Sequence, residues 1–276
     1  MADHPARAIR PDEIDRFWSD GVVCLKGVMP LSWMTVLEDG IKGAMSSSGR
    51  YTRRQSDDDD PGLFFSDYGA SARVPALMDY ALRSPAGEIA ATILKSRRAN
   101  FLYDAVWVKE PGTAKPSTWH QDQPYYAVDG RQICVMWAPI DPVPSDVVLR
   151  CVRGSHLWGT AFKPLRFKDL GGYGRDDGQG YMTPPDIERD HADTILAADM
   201  APGDVLVFHG MCIHGAPGNS QRSRSRRVVS TTWVGDDTVY IERPGEMEPD
   251  FSDRGLKPGD PLDAPAFPRV FESAAG

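Results

Sequence analysis

The chain reads as a mainly β protein with flanking helices, and three observations predict it. From residue 100 onward, short runs rich in Val, Ile, Trp and Tyr alternate with turns bearing Gly or Pro. Gly 26 and Pro 23 among 276 residues supply the turns that many short strands need. Before residue 100, apolar residues recur at helical spacing instead. Short strands with frequent turns predict an antiparallel sandwich or jelly roll.

Asp12 is placed to cap a first helix through Trp18, which Gly21 then ends. Residues 22–25 form an apolar strand closed by Gly27. Ser32 is placed to cap a second helix to about Met45, with Trp33, Val36, Leu37 and Ile41 on one face. The polar stretch SSSGRYTRRQSDDDDPG follows as a loop. Its four aspartates, 57–60, lack the alternating ligands and closing Glu of a calcium loop, so they read as solvated. Two more helices fit 74–83 and 84–94, the second opened by Ser84-Pro85. Predicted strands then cover 100–109, 117–122, 132–140, 147–152, 204–209 and 226–234. Residues 163–193 are too polar and Gly-rich for a core; they are either a lid over one mouth or a disordered insertion. The Pro-rich tail from Arg243 is expected to wrap the surface. The layout is one domain over 1–276: a mostly helical flank to 99, a β core over 100–240, and a tail over 241–276.

Composition narrows the function. Lys+Arg 31 against Asp+Glu 39 leaves a net charge of −8, which argues against a protein that coats nucleic acid phosphates. No apolar run approaches the roughly 20 residues of a membrane span. The opening MADHPARAIRPDEIDRF has no apolar leader core, so a cytoplasmic protein without membrane partner is expected. Cys24, Cys134, Cys151 and Cys212 lie far apart without a CxxC and read as buried free thiols. The six histidines are therefore the scarce chemical resource.

The sharpest motif is Trp119-His120-Gln121-Asp122. In a strand, residues i and i+2 point the same way, so His120 and Asp122 can reach one ion. A second His would complete two imidazoles and a carboxylate on one face, the arrangement of Fe(II) oxygenases with open positions. Phe208-His209-Gly210-Met211-Cys212-Ile213-His214-Gly215 offers two. Their odd offset puts them on opposite faces of an uninterrupted strand, so at most one joins. Gly215 favours His214, leaving His209 for the core. Arg222, Arg224, Arg226 and Arg227 then lead into VVSTTWV. A guanidinium opening a buried strand needs an anion, and a carboxylate matches its fork.

Four ordered stretches resemble the phytanoyl-CoA dioxygenase family of Fe(II)/2-oxoglutarate oxygenases. They are DRFWSDGVVCLKGVM, VKEPGTAKPSTWHQDQPYYAV, RGSHLWG and APGDVLVFHGMCIHGAPGN. PVPSDVVLRCVRGSH departs from the family's usual turn before the third. The resemblance implies a double-stranded β-helix, or jelly-roll, core with helices outside. It implies His120, Asp122 and His214 as ligands of Fe(II). It implies Arg226 on the far carboxylate of 2-oxoglutarate, with Arg224 and Arg227 as alternatives. Trp137 matches a tryptophan near that cosubstrate, and Lys109 and Tyr103 line the same pocket. His156 belongs to the third stretch and is read as structural.

The activity implied is hydroxylation of an unactivated C–H bond of a small metabolite, consuming O2 and releasing succinate and CO2. The presence of Asp122 argues against halogenation. Tyr125 and Tyr126 either line the mouth or pack at the strand end. Arg150 either faces inward to an anionic substrate or lies outward. The chain is expected as a monomer or homodimer. The competing readings are a non-enzymatic jelly roll that binds a metal or ligand, and a cupin-type metal enzyme without 2-oxoglutarate.

Overall fold

Helix α1 (Pro11–Asp20) starts because Glu13 reaches back to its own N-terminus. The Glu13 carboxylate accepts the Arg10 backbone N–H at 2.8 Å and pairs with Arg7 at 2.7 Å. The expected Asp12 cap is thus replaced by Arg10 at the N-cap, with Glu13 satisfying the turn. Gly21 ends the helix at φ 75°, where only a residue without Cβ sits at ease. The chain then enters β1 (Val22–Leu25) and α2 (Ser32–Met45), whose N-cap is Leu31 rather than Ser32.

The computed structural model describes residues 3–173, 180–247 and 249–273. After α2 come β2 (Thr52–Arg54), β3 (Phe64–Tyr68), α3 (Pro75–Arg83) and α4 (Ala86–Leu94). The long strand β4 (Arg98–Lys109) precedes β5 (Ser117–His120), β6 (Val128–Asp129), β7 (Ile133–Pro139) and β8 (Arg150–Val152). A short α5 (Ile187–Asp190) and β9 (Ile195–Leu196) lead to β10 (Val205–His209) and β11 (His214–Ala216). The chain closes with β12 (Arg226–Val234), β13 (Val239–Tyr240) and β14 (Arg269–Glu272).

These strands make the antiparallel jelly roll expected. The large sheet runs β1-β10-β7-β12-β4-β3-β2, with β14 also beside β4. The small sheet runs β5-β11-β8-β9. Alternation along β4 and β12 decides which sheet face meets what. Val106, Val108, Val229 and Trp233 turn to one side, where they join Phe17, Leu37, Ile41, Leu77 and Ile89 of the helices in one buried cluster. Tyr103, Ala105, Trp107, Lys109, Arg226, Val228, Ser230 and Thr232 turn to the other side and line a cavity of about 300 Å³.

Two parts of the predicted layout are corrected. The stretch read as a loop after α2 carries β2, and with β3 it extends the large sheet beside the mostly helical flank. Thr52–Arg54 lies inside the stretch read as a loop, and its polar side chains hid it from an apolar-pattern reading. The tail is also more than a surface wrap. Phe251, Leu262 and Phe267 are buried with Leu102, Tyr126 and Tyr240, and β14 adds a strand. Part of the predicted lid, residues 174–179, lies outside the described residues.

Gly21 and Gly27 separate two costs of a side chain. At Gly27, φ 59°, an added Cβ meets nothing within 4 Å, so Gly27→Ala should cost about 1 kcal/mol from backbone strain alone. At Gly21 the same atom would lie 2.4 Å from Nδ1 of His156. Gly21→Ala should therefore cost about 2–4 kcal/mol in urea unfolding. Equal costs for the two variants would show that the His156 contact does not matter.

Candidate functional site

His120, Asp122 and His214 converge, and the way they do so differs from the strand argument. The strand β5 ends at His120, and Asp122 sits in helical backbone, φ −80° and ψ −44°, opening a short 3₁₀ turn. The Asp122 N–H donates to the Gly210 carbonyl at 3.0 Å, which ties that turn to the loop leaving β10. His214 comes from the other side. The segment 205–216 is not one strand but two: β10 in the large sheet and β11 in the small one. Residues 210–213 make the crossing, so the odd offset of His209 and His214 separates them by sheet rather than by face. In the small sheet His214 pairs directly with His120.

The resulting geometry is that of a ligand set. Nε2 of His120 lies 3.3 Å from Oδ1 of Asp122, and Nε2 of His214 lies 3.5 Å from the same oxygen. The three ligand atoms all lie within 4.8 Å of one another. Cis ligands about 2.1 Å from an octahedral ion stand roughly 3 Å apart, so the three fit one face of such an ion. The tautomers fit as well. Nδ1 of His120 donates to the Thr118 carbonyl at 2.7 Å, and Nδ1 of His214 to the Cys212 carbonyl at 3.0 Å. A carbonyl can only accept, so both Nε2 atoms are left with lone pairs facing Asp122. Burial, and then the neighbouring His120, push the His214 imidazole down to about 4. Burial pushes the Asp122 carboxyl up, but His214 and His120 beside it hold it below the usual carboxylate range.

Behind the metal face lie two cations. Arg226 opens β12 directly opposite Lys109 at the end of β4. Both are buried, with Arg226 6% and Lys109 1% exposed. Arg226 donates to the carbonyls of Val147 and Pro217. Lys109 donates to those of Lys115 at 2.9 Å and Pro217 at 3.0 Å, and its ammonium lies over the Phe64 ring. Among the described residues neither forms an ion pair. Burial drives Arg226 down to about 10; burial and then Arg226 drive Lys109 well below its usual range. Arg227 faces away and pairs with Asp141 at 2.7 Å and Glu38 at 3.1 Å. Arg222 and Arg224 are exposed.

Trp137, Tyr103, Tyr125 and Tyr126 all line the cavity. Tyr103 and Tyr126 join through their hydroxyls, and Tyr126 also sits against the Asp122 carboxylate. Arg150 does not line the cavity. It extends outward, pairs with Glu188 at 2.7 Å and lies over the Trp119 ring. Its β8 neighbour Cys151 points to the buried side, so Arg150 follows from strand alternation.

His209 and His156 form a separate pair. His209 donates from Nε2 to the Arg131 carbonyl and accepts the Met211 N–H at Nδ1, so neither nitrogen is open to a metal. Sequence reasoning missed Arg53, Gln55, Phe64 and Tyr68, which line the cavity from β2, β3 and the turn between them. The alternation Phe64-Ser66-Tyr68 was the one available signal.

A family model described as Phytanoyl-CoA dioxygenase (PhyH) matches residues 17–228. No curated protein matches the chain. Among solved structures, the chain is similar to the non-heme alpha ketoglutarate dependent carbocyclase SnoK from nogalamycin biosynthesis. The identity is 20% and the TM-score 0.74, over 98% of this chain and 100% of that one. It is similar to the epimerase SnoN in complex with Fe3+, alpha ketoglutarate and nogalamycin RO, at 17% identity and TM-score 0.70 over 94% and 97%. EctD from S. alaskensis with 2-oxoglutarate and 5-hydroxyectoine matches at 16% and 0.66, over 99% and 91%. At these identities the likeness is one of fold.

Burial, and then His156, push His209 down to about 4 from 6.5. As pH falls below 6.5 the unfolded chain takes up the proton first, so stability is full above that value and is lost toward pH 4. The loss is on the order of 3 kcal/mol for this group. His209→Gln should flatten the slope of urea midpoint against pH between 7 and 4. An unchanged slope would place the acid sensitivity elsewhere.

Proposed function

The chain belongs to the phytanoyl-CoA dioxygenase family of non-haem iron, 2-oxoglutarate-dependent enzymes, and from that premise we propose that it hydroxylates an unactivated C–H bond of a small metabolite. The observation that carries this reading is the pairing of two features in one cavity. One is a two-His, one-carboxylate face; the other is a buried arginine and lysine that, among the described residues, meet only carbonyls and a ring. A metal enzyme without an acidic cosubstrate has no use for the second feature. A decayed site would not keep both tautomers set for a metal.

His120, Asp122 and His214 would hold the iron. When bound, iron with 2-oxoglutarate and dioxygen supplies the oxidising power, with release of succinate and CO2. Arg226 and Lys109 offer a guanidinium and an ammonium to the far carboxylate of 2-oxoglutarate, which compensates two charges that burial otherwise leaves costly. Trp137 lines the cavity from β7, two strand positions from Val135 on the same face, and gives the cosubstrate an apolar wall. Tyr103 lines the cavity from β4 beside Tyr126, away from solvent at 9% exposure. The same fold carries proteins named carbocyclase and epimerase, so the fold by itself does not choose the outcome. Hydroxylation is the simplest course that these residues support.

The test is succinate formation and O2 uptake with Fe(II) and 2-oxoglutarate across a metabolite panel. His120→Ala and His214→Ala should abolish substrate-dependent turnover, while His209→Ala keeps iron binding. Arg226→Ala should raise the KM for 2-oxoglutarate about 100-fold, the value of a charge-assisted bond. An unchanged KM would mean that the carboxylate is held elsewhere.

A further inference from the structure

Residues 163–173 cross the open side of the cavity, and one hydroxyl fastens them there. Tyr125 donates to the Leu165 carbonyl at 2.9 Å and accepts the Leu165 N–H at 3.0 Å. Both backbone groups of Leu165 are thus engaged by one side chain. The Tyr125 ring itself packs 5.8 Å from His120 and 5.7 Å from Tyr173. Two residues beyond Leu165, Phe167 is 9% exposed. Its ring stands edge-on to His120 at 4.9 Å and 6.0 Å from Trp107, which in turn meets Tyr68 at 5.3 Å. The Lys115 ammonium donates to the Lys168 carbonyl at 3.0 Å, a second tie at the next residue.

The polar tips beside Phe167 are already engaged. Trp107 donates to the Ser230 hydroxyl at 3.0 Å, and the Tyr125 hydroxyl is occupied by Leu165. Two arginines of the outer rim are engaged too, while Lys168 is exposed to water. Arg166 pairs with Asp169 and lies over Tyr173, and Arg53 donates to the carbonyls of Arg50 and Thr52. A carboxylate pressed against Phe167 and Trp107 would lose its hydration without a fresh donor. An ammonium there would meet the arginines of the rim.

We propose that Phe167, held by the Tyr125 hydroxyl, is a specificity-determining wall of the metal site, and that the substrate presents an apolar ring or chain segment to the metal. Tyr125 is on this account a positioning residue rather than a substrate contact. The inference rests on the metal reading above only for the word metal. Its tests need neither iron nor turnover, so they can fail separately from the succinate assay.

Naphthalene serves as the apolar probe, with binding read by quenching of tryptophan fluorescence, since Trp107 and Trp137 line the cavity. The wild-type chain should bind it. Phe167→Asn should weaken binding about tenfold, and Phe167→Leu should keep most of it. The latch is read by trypsin cleavage after Arg166 and Lys168. Tyr125→Phe keeps the ring and loses both hydrogen bonds. It should speed that cleavage about tenfold and leave cleavage at the exposed Arg222 and Arg224 as in the wild type. The proposal is overturned if naphthalene does not bind, if Phe167→Asn binds it as well as the wild type, or if Tyr125→Phe leaves cleavage at the strap unchanged.

Discussion

The site depends first on the register of β12. This strand is paired on both sides, with β4 along Arg226–Val234 and with β7 from Val228 onward. Strand alternation then leaves no freedom. Once Val229 and Trp233 face the helices, Arg226, Val228, Ser230 and Thr232 must face the cavity. A slip of one residue would turn Arg227 inward, away from Asp141 and Glu38, and put Arg226 among the helices. The register therefore places a buried guanidinium opposite Lys109, a juxtaposition of like charges that burial makes unfavourable. Three backbone carbonyls offset part of that cost, with Pro217 shared between the two side chains. A dianionic ligand held there would offset more.

The metal face needs the opposite device, an interruption of strands. His120 is the last residue of β5 and His214 the first of β11, so the two rings meet where the small sheet is paired. Asp122 joins them only because the backbone leaves the strand and turns, held by the Gly210 carbonyl. Each imidazole is then oriented by a carbonyl two residues earlier in its own chain segment, Thr118 and Cys212. The orientation is local and costs no partner from elsewhere in the fold. The region behind each histidine is thus structural, while the front stays free.

The contrast explains what could be read from the sequence. Chemistry was legible, because His120, Asp122, His214 and Arg226 are residue types that soluble cores seldom hold without cause, and the four motifs occur in order. Long apolar strands such as Arg226–Val234 were legible by composition, as were helices ending at Gly21 or opening near Pro85. The path of the backbone between motifs was not. Thr52–Arg54 joins the sheet through backbone bonds that its polar side chains do not advertise. His209 and His214 look like one strand until the crossing between sheets is seen. Arg150 offered no local clue beyond alternation with Cys151, and its pairing with Glu188 spans a distance that no sequence window covers. Phe251 and Phe267 reach the core from a tail whose Pro content suggested surface.

The charge balance follows the same division between local and global. The net −8 is spread over exposed carboxylates, many of them paired on the surface, and is screened there. Inside, the field is set by a few groups: two cations at the closed end of the cavity and one carboxylate at the metal face. The polarity runs from Lys109 and Arg226 outward to Asp122, and then to the rings of Phe167, Trp107 and Tyr68. An anion with one apolar stem could span the first two zones; in the third, the Trp107 N–H and the Tyr125 hydroxyl are already engaged. A molecule that enters from the strap side passes the rim charges and the aromatic surface before it reaches the two buried cations.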